Sequence, residues 1–311
     1  MKIEIHDVDH GACAVITSPD RHRLMLDCGE SMKRPWFPSI TYSQQRIDTL
    51  MLMNLDEDHV ADLNGVWGSC PLGALVTNPT ISPQALKWMK PNGMWSGVQK
   101  AHSLIQQFGP GFVGDWNNAL GGVRWHVFWN RYGLDFTDTN NLSLAVFITF
   151  GGFTILFGGD MEKPGWDRLM QMPAFRRRLL DVTVYVASHH GRENGKCADM
   201  FNWMNPEITI MSDCNKKHGT QETTCWYADR SKGIPDHSRA ANYQGPAKRH
   251  VYATRKDGSI RLEVGLDGRY TVYPERQPDP TSDLIAALLG RTGPTPVYTV
   301  PLSGLLSLAG K

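Results

Sequence analysis

The chain has 311 residues, enough for one large α/β or all-β domain with a sizeable core. Its 32 Lys and Arg residues nearly balance its 31 Asp and Glu residues, which excludes a global field that attracts nucleic acid or membranes, so polyanion binding would have to come from local patches. Its six cysteines are scattered without a C-x-x-C pair, no run of about 18 apolar residues occurs, and the first residues have a strand pattern instead of a secretory leader. We therefore expect reduced thiols, no membrane span and a cytoplasmic location.

Short apolar runs separated by Gly, Asp and Asn predict strands and turns in the first part of the chain. The predicted strands are KIEIHDV (2–8), ACAVITS (12–18), RLMLDCG (23–29) and DTLMLMN (48–54). Helical periodicity then runs from Ser82 to Phe108. Ser82 can cap the first helix, with Pro83 at its first position. We expect a helical excursion between strands over about residues 82–120.

Strand patterns return in the second part of the chain, where Gly151 and Gly152 separate two apolar runs and predict a tight hairpin. A helix with a break at Pro173 follows. The remaining predicted strands are VRWHVFWN (123–130), VTVYVASHHG (182–191), EITIMSDC (207–214) and three strands in 250–274 with Asp-Gly turns at 257–258 and 267–268. From residue 276 the chain mixes Pro, Gly and short apolar pieces, so we expect a domain over 1–275 and a tail with short helices over 276–311. The tail either packs back on the domain, which we prefer, or docks on another protein.

Residue types that bind metals gather where the predicted strands stop. A single carboxylate there is ordinary turn chemistry, but several such groups favour a shared site because strand ends on one edge of a sheet converge in space. Carboxylates and imidazoles without cysteine suit Mn²⁺, Zn²⁺ or Fe²⁺, and such a site hydrolyses esters without a serine nucleophile. The residues concerned are Asp7, Asp9, His10, Asp27, Asp56, Asp58, His59, Asp160, His189 and His190.

Six segments, in their order along the chain, resemble the metallo-β-lactamase-fold hydrolases, specifically the ComEC-like branch typified by the nuclease domain of a DNA-uptake protein. They are HDVDHGACAVI, LMLDCG, NLDEDHVADLNG, NNLSLAVFITFGGFTILFGGDM, VYVASHHG and TRKDGSI, and the resemblance covers about residues 1–265. It implies an α/β fold, the αβ/βα sandwich of two face-to-face mixed β-sheets with outer helices. It also implies one or two divalent metal ions at one edge, Zn or Mn, with Mg as a further option.

The family signature H-x-H-x-D-H lies over residues 54–59 of this chain. The resemblance implies that Asp58 and His59 bind the second of two metals and that Asp58 is also catalytic. It implies that Asp56 binds the first metal together with Asn54, although an amide oxygen is a weaker ligand than the imidazole it replaces. His10 is a candidate to supply the imidazole that is lost at Asn54.

The other implied site residues lie later in the chain. Asp160 matches the bridging carboxylate and is predicted to be catalytic, and either His189 or His190 is the late histidine ligand. The buried carboxylate of Asp27 is expected to orient a ligand and not to bind metal itself. His218 resembles a late histidine of the branch and is a candidate catalytic residue.

The preferred function is a metal-dependent hydrolase, a phosphodiesterase or nuclease that acts on DNA through metal-activated water. The basic groups 176–178, 216–217 and 248–249 could neutralise phosphates, although a solvated helix face is the preferred interpretation of the first. Exposed aromatic rings could stack on single-stranded bases. The candidate rings are those of Trp67, Trp95 and Trp226.

Two alternatives remain open at this point. One is a small-molecule hydrolase of the same fold that acts on a cyclic nucleotide, a lactone or a thioester, since the fold hosts many reactions. The other is a catalytically weakened binding or regulatory component of a multi-protein system, for example in defence against phage, for which Asn54 is the main support. The expected partners are nucleic acid as substrate and a protein bound through the tail.

Overall fold

Two β-sheets lie face to face in the computed structural model, which describes residues 1–114, 119–214, 222–236 and 247–276. One apolar core lies between the sheets and contains side chains from both, among them Ile3, Ile16, Ile148 and Ile210. Two further apolar clusters lie on the outer faces, where helices cover each sheet. The four layers form the αβ/βα sandwich that the sequence motifs imply.

The first sheet is built mainly from the N-terminal part of the chain. Its strands are β1 (Lys2–Ile5), β2 (Ala14–Thr17), β3 (Arg23–Leu26), β4 (Ile47–Met51), β5 (Leu72–Val76), β6 (Phe112–Gly114), β16 (Ile260–Val264) and β17 (Tyr270–Pro274). Within the described ranges their order is β17-β16-β1-β2-β3-β4-β5-β6. The pairs β3–β4 and β4–β5 are parallel, so the carboxyl ends of these strands share one edge.

The second sheet comes from the later part of the chain. Its strands are β7 (Ala119–Leu120), β8 (Val123–Phe128), β9 (Ala145–Phe150), β10 (Phe153–Phe157), β11 (Val184–Val186), β12 (Ile208–Met211) and β15 (Val251–Ala253). For the residues described, the order is β15-β12-β11-β10-β9-β8-β7, and β10, β11, β12 and β15 run parallel. These strands are buried on both faces, which explains their nearly continuous apolar sequences. A small ribbon pairs β13 (Ile234–Pro235) with β14 (Lys248–Arg249).

Helices cover the outer faces of both sheets. They are α1 (Pro38–Thr41), α2 (Glu57–Val60), α3 (Leu63–Ser69), α4 (Pro83–Met89), α5 (Ser96–Phe108), α6 (Lys163–Met170), α7 (Pro173–Leu179), α8 (Thr224–Ala228) and α9 (Thr254–Asp257). The Ser82 hydroxyl accepts a hydrogen bond from the backbone N–H of Ala85 and caps α4, with Pro83 at its first position, as predicted. The helical break at Pro173 and the hairpin at Gly151–Gly152 are also confirmed.

Two predictions about elements were wrong, and strand β5 was not predicted. The strand β5 was missed, since Gly73 interrupts a short apolar run directly after a helix. The helical excursion ends at Phe108 and not near residue 120, because β6 begins at Phe112. Asp257 and Gly258 do not form a hairpin turn, since the chain changes sheets there: β15 pairs with β12 in the second sheet, and β16 pairs with β1 in the first.

The predicted tail lies outside the described residues from position 277 onward. Among the helices that the structure describes, none combines the length and the apolar character needed to cross a bilayer.

Candidate metal centre

Two acidic and two histidine side chains meet at the edge where strands of both sheets end. One ligand atom from each of Asp58, His59, Asp160 and His190 lies within 4.8 Å of the others. Asp58 and His59 lie on the single helical turn α2, which follows β4. Asp160 follows β10, and His190 lies in a 3-10 turn after β11. The parallel strands therefore bring together residues that are more than 130 positions apart in sequence.

Several atoms of this four-residue group are buried and unsatisfied. His59 Nε2 lies 3.1 Å from Asp160 Oδ1, and His190 Nε2 lies 3.3 Å from the same oxygen and 3.4 Å from Asp58 Oδ2. Within the described part of the chain, both Nε2 atoms and Asp160 Oδ1 have no hydrogen-bond partner. Buried polar atoms are normally paired, so a convergent set of unpaired ones fits a divalent cation. The mixture of carboxylate and imidazole suits Zn²⁺ or Mn²⁺.

Asp27 binds the ring nitrogen of His59 that does not face the four-residue group. His59 Nδ1 donates a hydrogen bond to Asp27 Oδ2 at 2.7 Å, and both side chains are 1% exposed. The other carboxylate oxygen of Asp27 accepts the backbone N–H of Met53 at 2.6 Å. With Nδ1 carrying the proton, Nε2 of His59 presents its lone pair to the four-residue group. This geometry matches the orienting role expected for Asp27.

The late histidine that faces the group is His190, which the sequence left open. Its Nδ1 donates to the carbonyl oxygen of Ser212 at 2.8 Å, and this leaves Nε2 for the group. His189 is not part of the group, and its Nδ1 lies 3.4 Å from Glu162 Oε1. Both histidines have positive φ angles, 49° for His189 and 54° for His190, and the conformation is rare for residues other than Gly and Asn. The turn therefore selects one imidazole through a backbone conformation that the sequence pattern does not reveal.

The charges inside the group shift the pKa values of its members strongly. Burial alone would lower the pKa of His190, but the carboxylates of Asp160 and Asp58 raise it to about 10. Burial would likewise lower the pKa of His59, but the charges of Asp160 and Asp27 raise it well above its usual value. Burial would raise the pKa of Asp58, but His190 and His59 lower it to about 2. Each carboxylate thus strongly favours a cation beside it.

Asn54 and Asp56, the predicted ligands of the first metal, lie outside the four-residue group. Asn54 Oδ1 accepts the backbone N–H of Asp56 at 2.9 Å. Asp56 accepts hydrogen bonds from Thr139 Oγ1 and forms an ion pair with Lys90. Burial would lower the pKa of Lys90, but the charges of Asp56 and Glu57 raise it, so the ammonium stays protonated. His189 also lies outside the four-residue group, although its Nδ1, like the two Nε2 atoms of the group, is buried without a hydrogen-bond partner among the described residues.

His10 and Arg192 lie at the rim of the group. His10 Nε2 is 3.5 Å from Asp58 Oδ2, and its ring lies 4.6 Å from that of His190. Arg192 donates a hydrogen bond to the same Nε2 at 3.2 Å. Burial and the neighbouring His190 lower the pKa of His10 to about 4, so the neutral ring can accept this bond. His10 therefore lies beside Asp58. Arg192 was missed because a lone arginine after a histidine pair gives no signal.

Glycines allow other backbone segments to approach α2 closely. A Cβ at Gly11 would lie 2.5 Å from the carbonyl oxygen of Asp58, and Gly11 has a φ of 154°. A Cβ at Gly97, in the first turn of α5, would lie far inside contact distance of the carbonyl oxygen of Val60. The turn that carries Asp58 and His59 is therefore fixed by its neighbours on two sides.

The other residues singled out in the sequence have other partners or lie outside the described residues. Asp7 pairs with Arg34 and Arg276, and Asp9 accepts a hydrogen bond from Ser31. His218, Lys216 and Lys217 fall in a range that the structure does not describe.

The basic groups 176–178 and 248–249 are largely engaged within the protein. Arg176 donates to the carbonyl oxygen of Met170, and Arg178 contacts His126. Arg249 pairs with Asp257. Three of the five basic side chains therefore have partners within the protein, and Arg177 and Lys248 are exposed.

Two mixed sheets face to face, helices outside them and an acidic and histidine-rich group at the strand ends define the metallo-β-lactamase fold. No protein-family model matches the chain. The ComE operon protein 3 of Bacillus subtilis (strain 168) is 21% identical over 306 residues, covering 91% of this chain and 35% of that protein. The chain thus spans about a third of the length of this relative, and the similarity fits the ComEC-like branch that the motifs resemble.

Two solved structures are distant fold neighbours. One is a protein of Parabacteroides distasonis described as a candidate metal-dependent hydrolase, 13% identical, with 81% of this chain and 92% of that chain covered and a TM-score of 0.44. The other is zinc-bound PqqB from Methylobacterium extorquens, which is 11% identical. The match covers 69% of this chain and 90% of that chain, with a TM-score of 0.41. The fold itself follows from the strand order and layers of this chain.

Proposed function

We propose that the chain is a metal-dependent hydrolase that cleaves phosphodiesters, with DNA as its polymer substrate. The observation that carries the proposal is the convergence of three buried, unpaired ligand atoms, those of His59, Asp160 and His190, beside Asp58. Such a constellation at the end of parallel strands is costly unless it binds a cation. A bound divalent ion would supply Lewis acidity and lower the pKa of a water molecule.

The residues of the chain have separate tasks in this proposal. Asp58 and Asp160 supply negative charge, and His59 and His190 supply neutral nitrogen donors. Asp27 and the Ser212 carbonyl oxygen hold the two rings through their Nδ1 protons, so that both Nε2 atoms face the same point.

Arg192 favours an anionic substrate over a neutral one. Its guanidinium lies at the rim of the group, and among the residues described here it donates only to His10. A guanidinium has five N–H donors in a planar fork that matches the oxygens of a phosphate. This cation would attract a phosphodiester, whereas a lactone or a thioester has no charge that requires it.

DNA as the polymer rests on the resemblance of the motifs to the ComEC-like branch and on one surface feature. A cleft of about 410 Å³ lies beside the metal loop, the name used here for residues 54–59. It is lined by Glu57, Lys90 and Trp95, and Trp95 is 77% exposed. An exposed indole next to a candidate hydrolytic centre can stack on an unpaired base. This arrangement supports single-stranded segments as the part of DNA that reaches the site.

The test measures hydrolysis of bis(p-nitrophenyl) phosphate, single-stranded and duplex DNA, RNA, cyclic dinucleotides, a lactone and a thioester, each with Mn²⁺, Zn²⁺ or Mg²⁺. We expect diester cleavage that requires both the metal and Asp160, and that falls about 10- to 100-fold in Arg192→Gln while the metal content stays unchanged. The matched control Arg261→Gln removes an exposed guanidinium from β16 and should have no effect. Absence of any metal-dependent and Asp160-dependent diester cleavage would overturn the proposal, and lactone or thioester turnover that ignores Arg192 would favour the small-molecule alternative.

A further inference from the structure

The metal loop contains a second set of polar side chains next to the four-residue group, and these are already satisfied by the protein. Asn54 accepts a hydrogen bond from the backbone of Asp56 at 2.9 Å and donates one to Asn140 Oδ1 at 3.3 Å. Asn140 in turn donates to Glu162 Oε1 at 3.2 Å. Both polar atoms of the Asn54 side chain therefore have a partner within the protein.

Asp56 is even more fully engaged. Thr139 Oγ1 lies 2.8 Å from one of its carboxylate oxygens and 2.9 Å from the other. The ammonium of Lys90 binds Asp56 and also lies 3.1 Å from Glu57 Oε2. Lys90 follows the last residue of α4, and its side chain is only 11% exposed, so the ammonium lies between the two carboxylates and is largely shielded from water.

The contrast between the two sets decides how many cations the centre can hold. The four-residue group has three buried ligand atoms without partners, whereas the neighbouring carboxylates have a fixed positive charge between them. A second divalent ion there would have to displace the Lys90 ammonium and break its contacts with Asp56 and Glu57, or remain close to it and be repelled.

We infer that the centre holds a single metal ion, and that the ammonium of Lys90 occupies the place of a second cation. This inference rests on the proposed function only in assuming that the four-residue group binds metal. Lys90 binds Asp56 and Glu57, which lie at the start of the turn that carries Asp58 and His59. It reaches the metal loop from the helical block between β5 and β6, which the sequence pattern did not connect with the site.

The experiment counts metal ions on the full-length chain, by elemental analysis after dialysis and by calorimetric titration with Mn²⁺ and with Zn²⁺. We expect one equivalent for the wild type and for Lys90→Arg, which keeps the cation. In Lys90→Ala the two carboxylates lose their counter-charge, so we expect a second equivalent that binds at least tenfold more weakly than the first. Two equivalents in the wild type would overturn the inference, and a single equivalent in a folded Lys90→Ala would overturn the role of Lys90.

A second variant keeps the inference testable if Lys90→Ala does not fold. Asp56→Asn should bind the first equivalent within about threefold of the wild-type affinity, since Asp56 is not a ligand in the single-ion centre. A loss of 100-fold would show that it is one, and would overturn the inference. Metal counting is independent of turnover: a chain that binds one ion and cleaves no phosphodiester would refute the proposed function and leave the single-ion centre intact.

Discussion

Replacing Asp27 with asparagine tests whether this buried carboxylate holds His59 for metal binding. Asp27 accepts two hydrogen bonds, one from His59 Nδ1 at 2.7 Å and one from the Met53 N–H at 2.6 Å. An asparagine has one oxygen and can accept only one of them well. If the oxygen stays with Met53, the amide N–H groups face His59 Nδ1 and move the imidazole proton to Nε2, which blocks the metal-facing nitrogen.

The expected size of the effect follows from the two contacts. Losing one partner of a buried hydrogen-bonded pair costs about 1–3 kcal/mol, and loss of a residue that orients a metal ligand commonly weakens metal affinity about 10- to 100-fold. The free energy and the loss of affinity agree, since a tenfold change in affinity corresponds to about 1.4 kcal/mol. We therefore expect Asp27→Asn to bind Zn²⁺ about 10- to 100-fold more weakly than the wild type, in competition titrations against a chelating indicator at fixed pH.

The control variant is Asp257→Asn, because Asp257 is also a buried carboxylate that accepts a backbone N–H, from Ala253, but it pairs with Arg249 and is not part of the four-residue group. It should lose stability in urea and keep its metal affinity. The reasoning would be refuted if Asp27→Asn bound Zn²⁺ within threefold of the wild type while Asp160→Ala abolished binding.

Three further predictions concern stability and substrate binding. Burial lowers the pKa of His6 to about 4, so between pH 6.5 and pH 4 the unfolded chain takes up a proton that the folded chain does not. The free energy of unfolding that depends on neutral His6 is therefore fully present above pH 6.5 and falls by about 3 kcal/mol toward pH 4. Urea unfolding of the metal-free protein at pH 7 and pH 5 should show a smaller loss in His6→Phe, and equal losses would contradict this. Gly97→Ala should lower the free energy of unfolding by about 1 kcal/mol or more, because the new methyl group meets the Val60 carbonyl. Gly68→Ala, in open space on α3, should raise it by about 1 kcal/mol. A change of the same sign in both variants would refute the clash at Gly97. Trp95→Ala should weaken binding of a labelled oligothymidylate about tenfold in fluorescence anisotropy, and Trp88→Ala, at a residue that is also exposed but lies on α4 outside the cleft, should not.

The sequence predicted most of the strands because strand and turn signals are local, whereas the sandwich was implied by the resemblance of the motifs. Apolar runs that end on Asp, Asn or Gly marked most of the strands around the site, and the Gly151–Gly152 pair marked a hairpin. The switch of sheets at Asp257–Gly258 was missed because an Asp-Gly pair looks the same in a hairpin and at the end of a helical turn. Sheet assignment is a long-range property that turn chemistry does not encode.

The sequence likewise predicted some residues of the candidate site and not others. Asp58, His59 and Asp160 stand at strand ends, where the sequence placed a shared site. The choice between His189 and His190 depends on backbone angles, which adjacent identical residues do not reveal. Lys90 and Arg192 could not have been found from the sequence, because each is a single basic residue whose role arises from contacts across the fold.

The helices between β5 and β6 lie against the turn that carries two of the four grouped residues, through Lys90 on one contact and Gly97 on the other. Any attempt to shorten this chain to its strands, or to transplant the NLDEDH loop into another sandwich, would therefore have to keep this helical pair. What looks like an optional insertion between two strands is a structural support of the site, and it should vary in length and sequence less freely than a surface insertion would.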